Sequence, residues 1–314
     1  MFHVHLKNDE NFVVNVSEIQ DYMKCRWRWC AKWVVGRVPK DEARPLRFGK
    51  LLHLIFEHHF QTRQPIEVAI TRFRGEWAKA LEQAHNPLDI AVAQDALADL
   101  DQYAEPLGMW TDRYPAEGMP LEVEKAFIVK SPLDPTIFFK GRPDRMQMMW
   151  GQLFHWQNRG LAAGMNFPLY AELAKRNFHE HMYAYAMKQK YPNVPYGGTV
   201  YNLMRKLKYR GKNGKILHTP DEMFWQGLVT ITPEMNTEIM EIATRYAQEM
   251  RFARLLFEED GVWPLPNETI HGGPFGNSID PYFRVLNGEI DLNNDNVFKN
   301  REDTYATEEI TSAG

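Results

Sequence analysis

Cysteine is almost missing: the 314 residues include only Cys25 and Cys30, too few for a disulfide framework. Long apolar runs are missing too. No stretch reaches the roughly 18 residues of a membrane helix, and no hydrophobic leader stands near Met1. A soluble, intracellular chain is therefore expected. Charge of one sign is not in excess either. A formal net charge of −4 excludes a uniformly basic protein that coats nucleic acid, so any polyanion-binding surface must be a local patch. Internal repeats and low-complexity segments are absent from the sequence. The 44% apolar and 13% aromatic residues are enough for a sizeable core. One domain is expected over residues 1–314, with a flexible tail only at 301–314.

The stretch Phe139 to Arg159, FKGRPDRMQMMWGQLFHWQNR, organises the rest. It reads as two strands joined by a Trp150-Gly151 turn. At period two, Arg142, Asp144, Met146 and Met148 share a face of the first strand, and Leu153, His155, Gln157 and Arg159 share a face of the second. Asp144 then comes within reach of Gln157 and Arg159. Hydrolysing a phosphodiester with a divalent metal needs hard oxygen ligands, a cation against the developing charge and a positioned water. Asp144, Glu124 and the backbone carbonyl of Asn158 offer oxygens, and Arg159 offers the cation. The layout is that of a metal-dependent phosphodiesterase site with unusual residues in two of its places.

Before that stretch, a short strand near Phe12 leads to a helix with Ser17 as its N-cap. Arg26, Trp27, Arg28, Trp29, Lys32 and Trp33 give this helix a basic and aromatic surface. The surface is either a core helix with snorkelling arginines or one that grips a backbone and stacks bases. A second helix, 47–61, buries Leu51, Leu52, Ile55 and Phe56, and sets His53 one turn from Glu57. His53 is either a satisfied core histidine or a ligand, while His58 and His59 read as solvated. Residues 66–115 read as a helical insertion broken at Asn86-Pro87. Residues 121–130 alternate like a strand with Glu124, Ala126 and Ile128 on one face. Glu124 is there either a paired structural acid or a third metal carboxylate.

Beyond the stretch, 176–190 reads as a helix with His179 and Tyr183 on one face, and 196–204 as a strand. The segment 204–217 is a basic arm. Arg205, Lys206, Lys208, Arg210, Lys212 and Lys215 occur in it without an acid from 205 to 215. That run is either a footprint for a phosphate backbone or a solvated hairpin. A strand over 224–231 follows, then a helix to about residue 259 capped by Thr232 with Pro233 at its first position. The remainder is turn-rich and is expected to fold back over the core.

These pieces together resemble the PD-(D/E)XK nuclease superfamily, in particular its RecB-like exonuclease branch of bacteria and phages. SEIQDYMKC from Ser17 to Cys25 is similar to that branch's opening S-x-I-x-x-Y-x-x-C helix. Phe48-Gly49 through His53 is similar to its F-G-x-x-x-H, whose histidine binds metal. Glu124 falls on its strand acid and Gly141 to Asp144 on its G-x-x-D. Gln157-Asn158-Arg159 falls on its D/E-x-K, and His179 through Tyr183 on its Q-x-x-x-Y.

The resemblance implies an α/β (α+β) fold: a small mixed central sheet flanked by helices, a restriction-endonuclease-like core with a helical insertion. It departs from the family at Gln157 for an acid, Arg159 for a lysine and His179 for a glutamine. Arginine keeps its proton and is bulkier than lysine, so that exchange is not conservative. Many relatives hold an iron–sulfur cluster on one early and three late cysteines. Cys25 matches the early one, but Asn267 to Glu289 contains none, with Asp280-Pro281-Tyr282 where C-P-Y belongs. One thiolate cannot hold that cluster, so no iron–sulfur centre is expected and both cysteines should be reduced and buried.

The implied function is an Mg²⁺- or Mn²⁺-dependent DNA nuclease, exonuclease-like and weakened, acting in phage or bacterial replication, recombination or repair. His53, Asp144, Gln157 and Asn158 would hold the metal, with Glu124 nearby and Arg159 on the attacked phosphate. His179, Tyr183, the basic arm, Arg26 and Arg28 would contact single- or double-stranded DNA. The expected setting is the cytoplasm of a bacterial or phage-infected cell, with replication or recombination proteins as further partners and no membrane. A catalytically inactive DNA-binding relative, and a protein-interaction module on a nuclease scaffold, are the alternatives. Retention of His53 and Asp144 favours metal binding, whereas Gln157 and Arg159 favour a lapsed enzyme.

Overall fold

The computed structural model describes residues 11–40, 44–114, 120–211, 213–266 and 281–301. The chain opens with strand β1 (Phe12–Asn15) and helix α1 (Val16–Lys24), which breaks at an extended Cys25 into α2 (Arg26–Trp29) and a π-helical turn, Cys30–Val34. Strand β2 (Arg37–Pro39) leads to α3 (Arg44–Thr62), α4 (Ile66–Glu82) and α5 (Pro87–Arg113). Strands β3 (Pro120–Val123), β4 (Phe127–Lys130), β5 (Ile137–Gly141), β6 (Arg145–Met149) and β7 (Gln152–Leu161) follow. Helices α6 (Phe167–Ala174) and α7 (Phe178–Lys190) then lead to β8 (Tyr196–Arg205), α8 (Pro220–Met223), β9 (Phe224–Val229) and the long α9 (Pro233–Asp260). Helix α10 (Pro281–Leu286) and strand β10 (Phe298–Asn300) close the described chain.

The main sheet has the order β3-β6-β7-β8-β9, with β7 and β8 parallel and the other neighbours antiparallel. A parallel pair needs a long crossover, and α6 and α7 supply it. Strands β1, β5 and β4 form a second, three-stranded sheet, and β2 pairs with β10. The two largest apolar clusters among the described residues cover the sheets. Val14, Ile19, Trp29, Phe139, Met146 and Met182 pack with α9 in one; Leu52, Phe56, Phe60, Ile70 and Trp110 from α3 to α5 pack on Met204 and Phe224 in the other. A mixed sheet flanked by helices is thus the fold class that the sequence implied. Cys25 and Cys30 are free and buried, and burial pushes the Cys30 thiol up to about 12.

Several local expectations are corrected. The N-cap of α1 is Asn15, not Ser17, and Glu18 accepts from the Asn15 backbone N–H at 3.4 Å, the reach-back half of a capping box. Ser17 lies inside the helix, and its hydroxyl faces His179. Residues 121–130 are not one strand. They divide at Glu124, which takes a left-handed φ of 49° and sends β3 and β4 into different sheets. Arg142 to Asp144 likewise form a bend between β5 and β6 and not part of a strand. His58 and His59 are half-buried and partnered, by Arg72 and by the Gln64 carbonyl.

Other expectations hold. Thr232 accepts from Met235 N–H at 3.2 Å, Pro233 is the first residue of α9, and Gly261 ends the helix at φ 68°. Trp150 and Gly151 both take left-handed φ, 50° and 74°, as a two-residue hairpin turn of the primed kind demands. Lys212, the segment 267–280 and the tail 302–314 lie outside the described residues. Among the described residues, no helix is long and apolar enough to cross a membrane.

Candidate active site

Four local structures bring the site together. Helix α3 presents His53, the turn after β3 presents Glu124, the bend before β6 presents Asp144, and β7 carries Gln157, Asn158 and Arg159. The bend works because β5 ends and β6 begins in different sheets, so the chain must turn at Arg142-Pro143-Asp144. Glu124 is tied to that bend, since its N–H donates to the Asp144 carbonyl at 3.1 Å. A non-glycine residue held at left-handed φ costs about 1–2 kcal/mol. Here the strain aims a carboxylate at His53 and Asp144.

His53 Nδ1 lies 3.5 Å from Asp144 Oδ1 and 3.8 Å from Glu124 Oε1. One ligand atom from each of the three residues falls within 4.8 Å of the others. A nitrogen and two carboxylate oxygens at that spacing suit a hard divalent cation completed by water or phosphate oxygens. Asp144 Oδ2 accepts the Asn158 backbone N–H at 2.6 Å, and Glu124 Oε2 pairs with Arg142 Nε at 3.1 Å. Arg159 donates to His53 Nε2 at 3.1 Å, to the Asn158 carbonyl at 3.4 Å and to Gln157 Oε1. The Gln157 Nε2 is buried without a partner among the described residues.

The titrations follow from these neighbours. The Asp144 charge raises the pKa of His53 against the opposing effect of burial, and a hydrogen bond to Glu124 adds to the rise. Burial raises Glu124, helped by Asp144 and opposed by His53. Arg159 is raised despite burial, because Asp144 favours its charge. His179 falls to about 4 through burial and then the Arg159 charge.

The structure thus joins His53, Glu124, Asp144, Gln157, Asn158 and Arg159, and sets His179 and Tyr183 on the adjoining helix. His179 is half-buried against Ser17 and Asn177. Tyr183 is only 5% exposed, and its hydroxyl donates to the Arg142 carbonyl at 3.0 Å. Several of the basic residues have partners of their own. Arg26 pairs with Glu249, and Arg28 stacks over Tyr282. Arg210 makes a two-pronged pair with Glu105, Arg205 donates to the Met165 carbonyl, and Lys206 lies over Phe48. Lys208 and Lys215 are exposed.

Reasoning from the sequence missed three features. Burial raises the pKa of Tyr170, and the Arg159 charge close by opposes that rise. Asn158, Asn202 and Gln226 form an amide ladder across β7, β8 and β9, each bond 2.8 Å. Glu180 meets His155 at 3.0 Å, fully buried. The period-two face of β7 did place His155 beside Gln157, but no local signal marks its partner 25 residues on.

The model of the PD-(D/E)XK nuclease superfamily matches residues 13–260, and so takes in every element that builds this site. The chain belongs to that superfamily. No curated protein matches it. Among solved structures, that of SSO0001 is similar over 79% of each chain, at 11% identity and a TM-score of 0.32. Members of the superfamily are typically phosphodiester-hydrolysing nucleases, and the His53–Glu124–Asp144 cluster has the chemistry of their metal-dependent reaction.

Proposed function

We propose that this chain is an exonuclease-like DNA nuclease of the RecB-like branch, with activity weakened at Gln157 and Arg159, serving replication, recombination or repair in a bacterium or its phage. The convergence of His53, Glu124 and Asp144 from three distant segments carries this reading. These residues would hold Mg²⁺ or Mn²⁺, which supplies Lewis-acid polarisation of a phosphoryl oxygen. Glu124 and Asp144 furnish the negative charge that holds the cation. The Asn158 N–H fixes the Asp144 carboxylate so that its other oxygen faces the cluster. Arg159 sets a permanent positive charge beside the attacked phosphate. Lys208 and Lys215 extend the contact along the strand.

The test is incubation of the purified protein with end-labelled single- and double-stranded DNA under Mg²⁺ and Mn²⁺. Metal-dependent shortening from an end, abolished in Asp144→Ala, is expected. No cleavage by the wild type, with cleavage by the double variant Gln157→Asp with Arg159→Lys, would mark a lapsed nuclease. No cleavage by either protein defeats the enzymatic reading.

A second reading, an inactive DNA-binding relative, is favoured by one observation: the Arg159 side chain is bonded to donor atoms that a metal would use. It predicts salt-dependent DNA affinity that survives Asp144→Ala and falls when Lys208 and Lys215 are neutralised.

A further inference from the structure

The charge at the centre is already balanced. Glu124 and Asp144 bring two negative charges, and Arg142 and Arg159 bring two positive ones, Arg142 directly on Glu124 at 3.1 Å. The hydrogen bonds are more specific than the charge. A guanidinium has only N–H donors and no lone pair, so every polar neighbour of Arg159 must accept from it. Those acceptors are His53 Nε2, the Asn158 carbonyl and Gln157 Oε1. The last two are the oxygens that β7 would offer a cation.

The bond to Nε2 also decides the other side of the His53 ring. A neutral imidazole that accepts at Nε2 carries its hydrogen on Nδ1. Nδ1 is the atom that faces Asp144 and Glu124, at 3.5 and 3.8 Å. A ring nitrogen bearing hydrogen cannot ligate a metal. Moving the hydrogen to Nε2 frees Nδ1 but sets an N–H against the Arg159 N–H. A lysine in this position has a single ammonium and could not hold all three acceptors in one planar fork. We propose that Arg159 bars a divalent cation from this centre by holding the two β7 oxygens and by keeping the hydrogen on His53 Nδ1, the ring edge that faces the acids, so that binding of the cation and the contacts of Arg159 exclude one another.

This inference rests on the metal-centre reading above, and the test separates the two. Mn²⁺ is titrated calorimetrically into the wild type, Arg159→Met and Arg159→Lys, and into each with Asp144→Ala added. The ring nitrogens of His53 are followed by ¹⁵N NMR in the metal-free proteins. Arg159→Met, which keeps the apolar stem, is expected to bind Mn²⁺ at least tenfold more tightly than the wild type, and Arg159→Lys several-fold. Both gains should vanish with Asp144→Ala, and the Nδ1–H signature of the wild type should be lost in Arg159→Met. Equal or weaker Mn²⁺ binding in the folded Arg159 variants, with wild-type binding intact and dependent on Asp144, overturns the inference and leaves the metal centre standing. If Arg159→Met does not fold, an unchanged affinity in Arg159→Lys overturns it. Absence of Mn²⁺ binding in all proteins sinks the metal centre and the inference together.

Discussion

Two clusters of ionisable groups share one face of β7, centred four residues apart on His155 and Arg159, and they differ in what is left open. Around His155 every polar atom is answered. Its Nδ1 meets the Tyr196 hydroxyl at 2.7 Å and its Nε2 meets Glu180, while Thr199 and Tyr201 also donate to Glu180. Burial opposes the Glu180 charge, but these donors overcome it and hold its pKa low. Around Arg159 the His53 side chain is 31% exposed, the Gln157 Nε2 lacks a partner among the described residues, and the pKa values of His53 and Glu124 are both raised. A saturated, sealed network holds a strand crossover in register. An open one with raised carboxylate and imidazole is where a ligand's charge can still be used.

The sharpest way to break this contrast is to neutralise one acid in each cluster and compare unfolding in urea. Glu180→Gln is expected to cost about 3–5 kcal/mol, because it leaves a buried partner set mismatched. Asp144→Asn keeps an oxygen for the Asn158 N–H and removes a charge that repels Glu124, and should cost nearer 1 kcal/mol, about the size of one hydrogen bond. Similar losses in the two variants would remove the distinction between a structural and a functional cluster. Binding should run the other way. Asp144→Asn is expected to abolish Mn²⁺ binding, whereas Glu180→Gln, where folded, should retain it within a few-fold; calorimetry reads both.

The pH dependence sharpens the contrast further. His179 has its folded pKa pushed from 6.5 down to about 4. In that window the unfolded chain binds a proton that the folded one refuses, so stability falls as pH drops below 6.5 and the loss is complete near 4. His179→Gln should flatten that limb of a melting-temperature profile, and an unchanged limb would show that His179 is not buried as a neutral base. The smallest expected effect is Tyr196→Phe. It removes one hydrogen bond from His155 and should cost about 1–2 kcal/mol with no change in Mn²⁺ affinity.

How much of this was legible in the sequence depends on the range of the signal. The hairpin β6–β7, its Trp150-Gly151 turn, the break at Asn86-Pro87 and the Thr232 cap of α9 rest on side-chain period and cap chemistry. All are local. Gln157 and Arg159 stood out because they occupy a D/E-x-K position with the wrong residues. The alternation of LEVEKAFIVK puts Glu124 inside a strand, and alternation cannot show that two halves of a run join different sheets. Arg26 and Arg28 were open between core and binding roles, and the pairing with Glu249 and the stacking on Tyr282 depend on contacts more than 200 residues away.

The sequence by itself determined the order of elements, the residue types of the centre and the places where they depart from the family's pattern, because period, caps and spacing act over a few residues. Only the tertiary structure decided what those residues do to one another. It brought Arg159 against a histidine 106 positions earlier, bent Glu124 towards Asp144, and sealed His155 with Glu180. Each of these is set by the packing of helices on a twisted sheet, whose contacts no window along the chain contains.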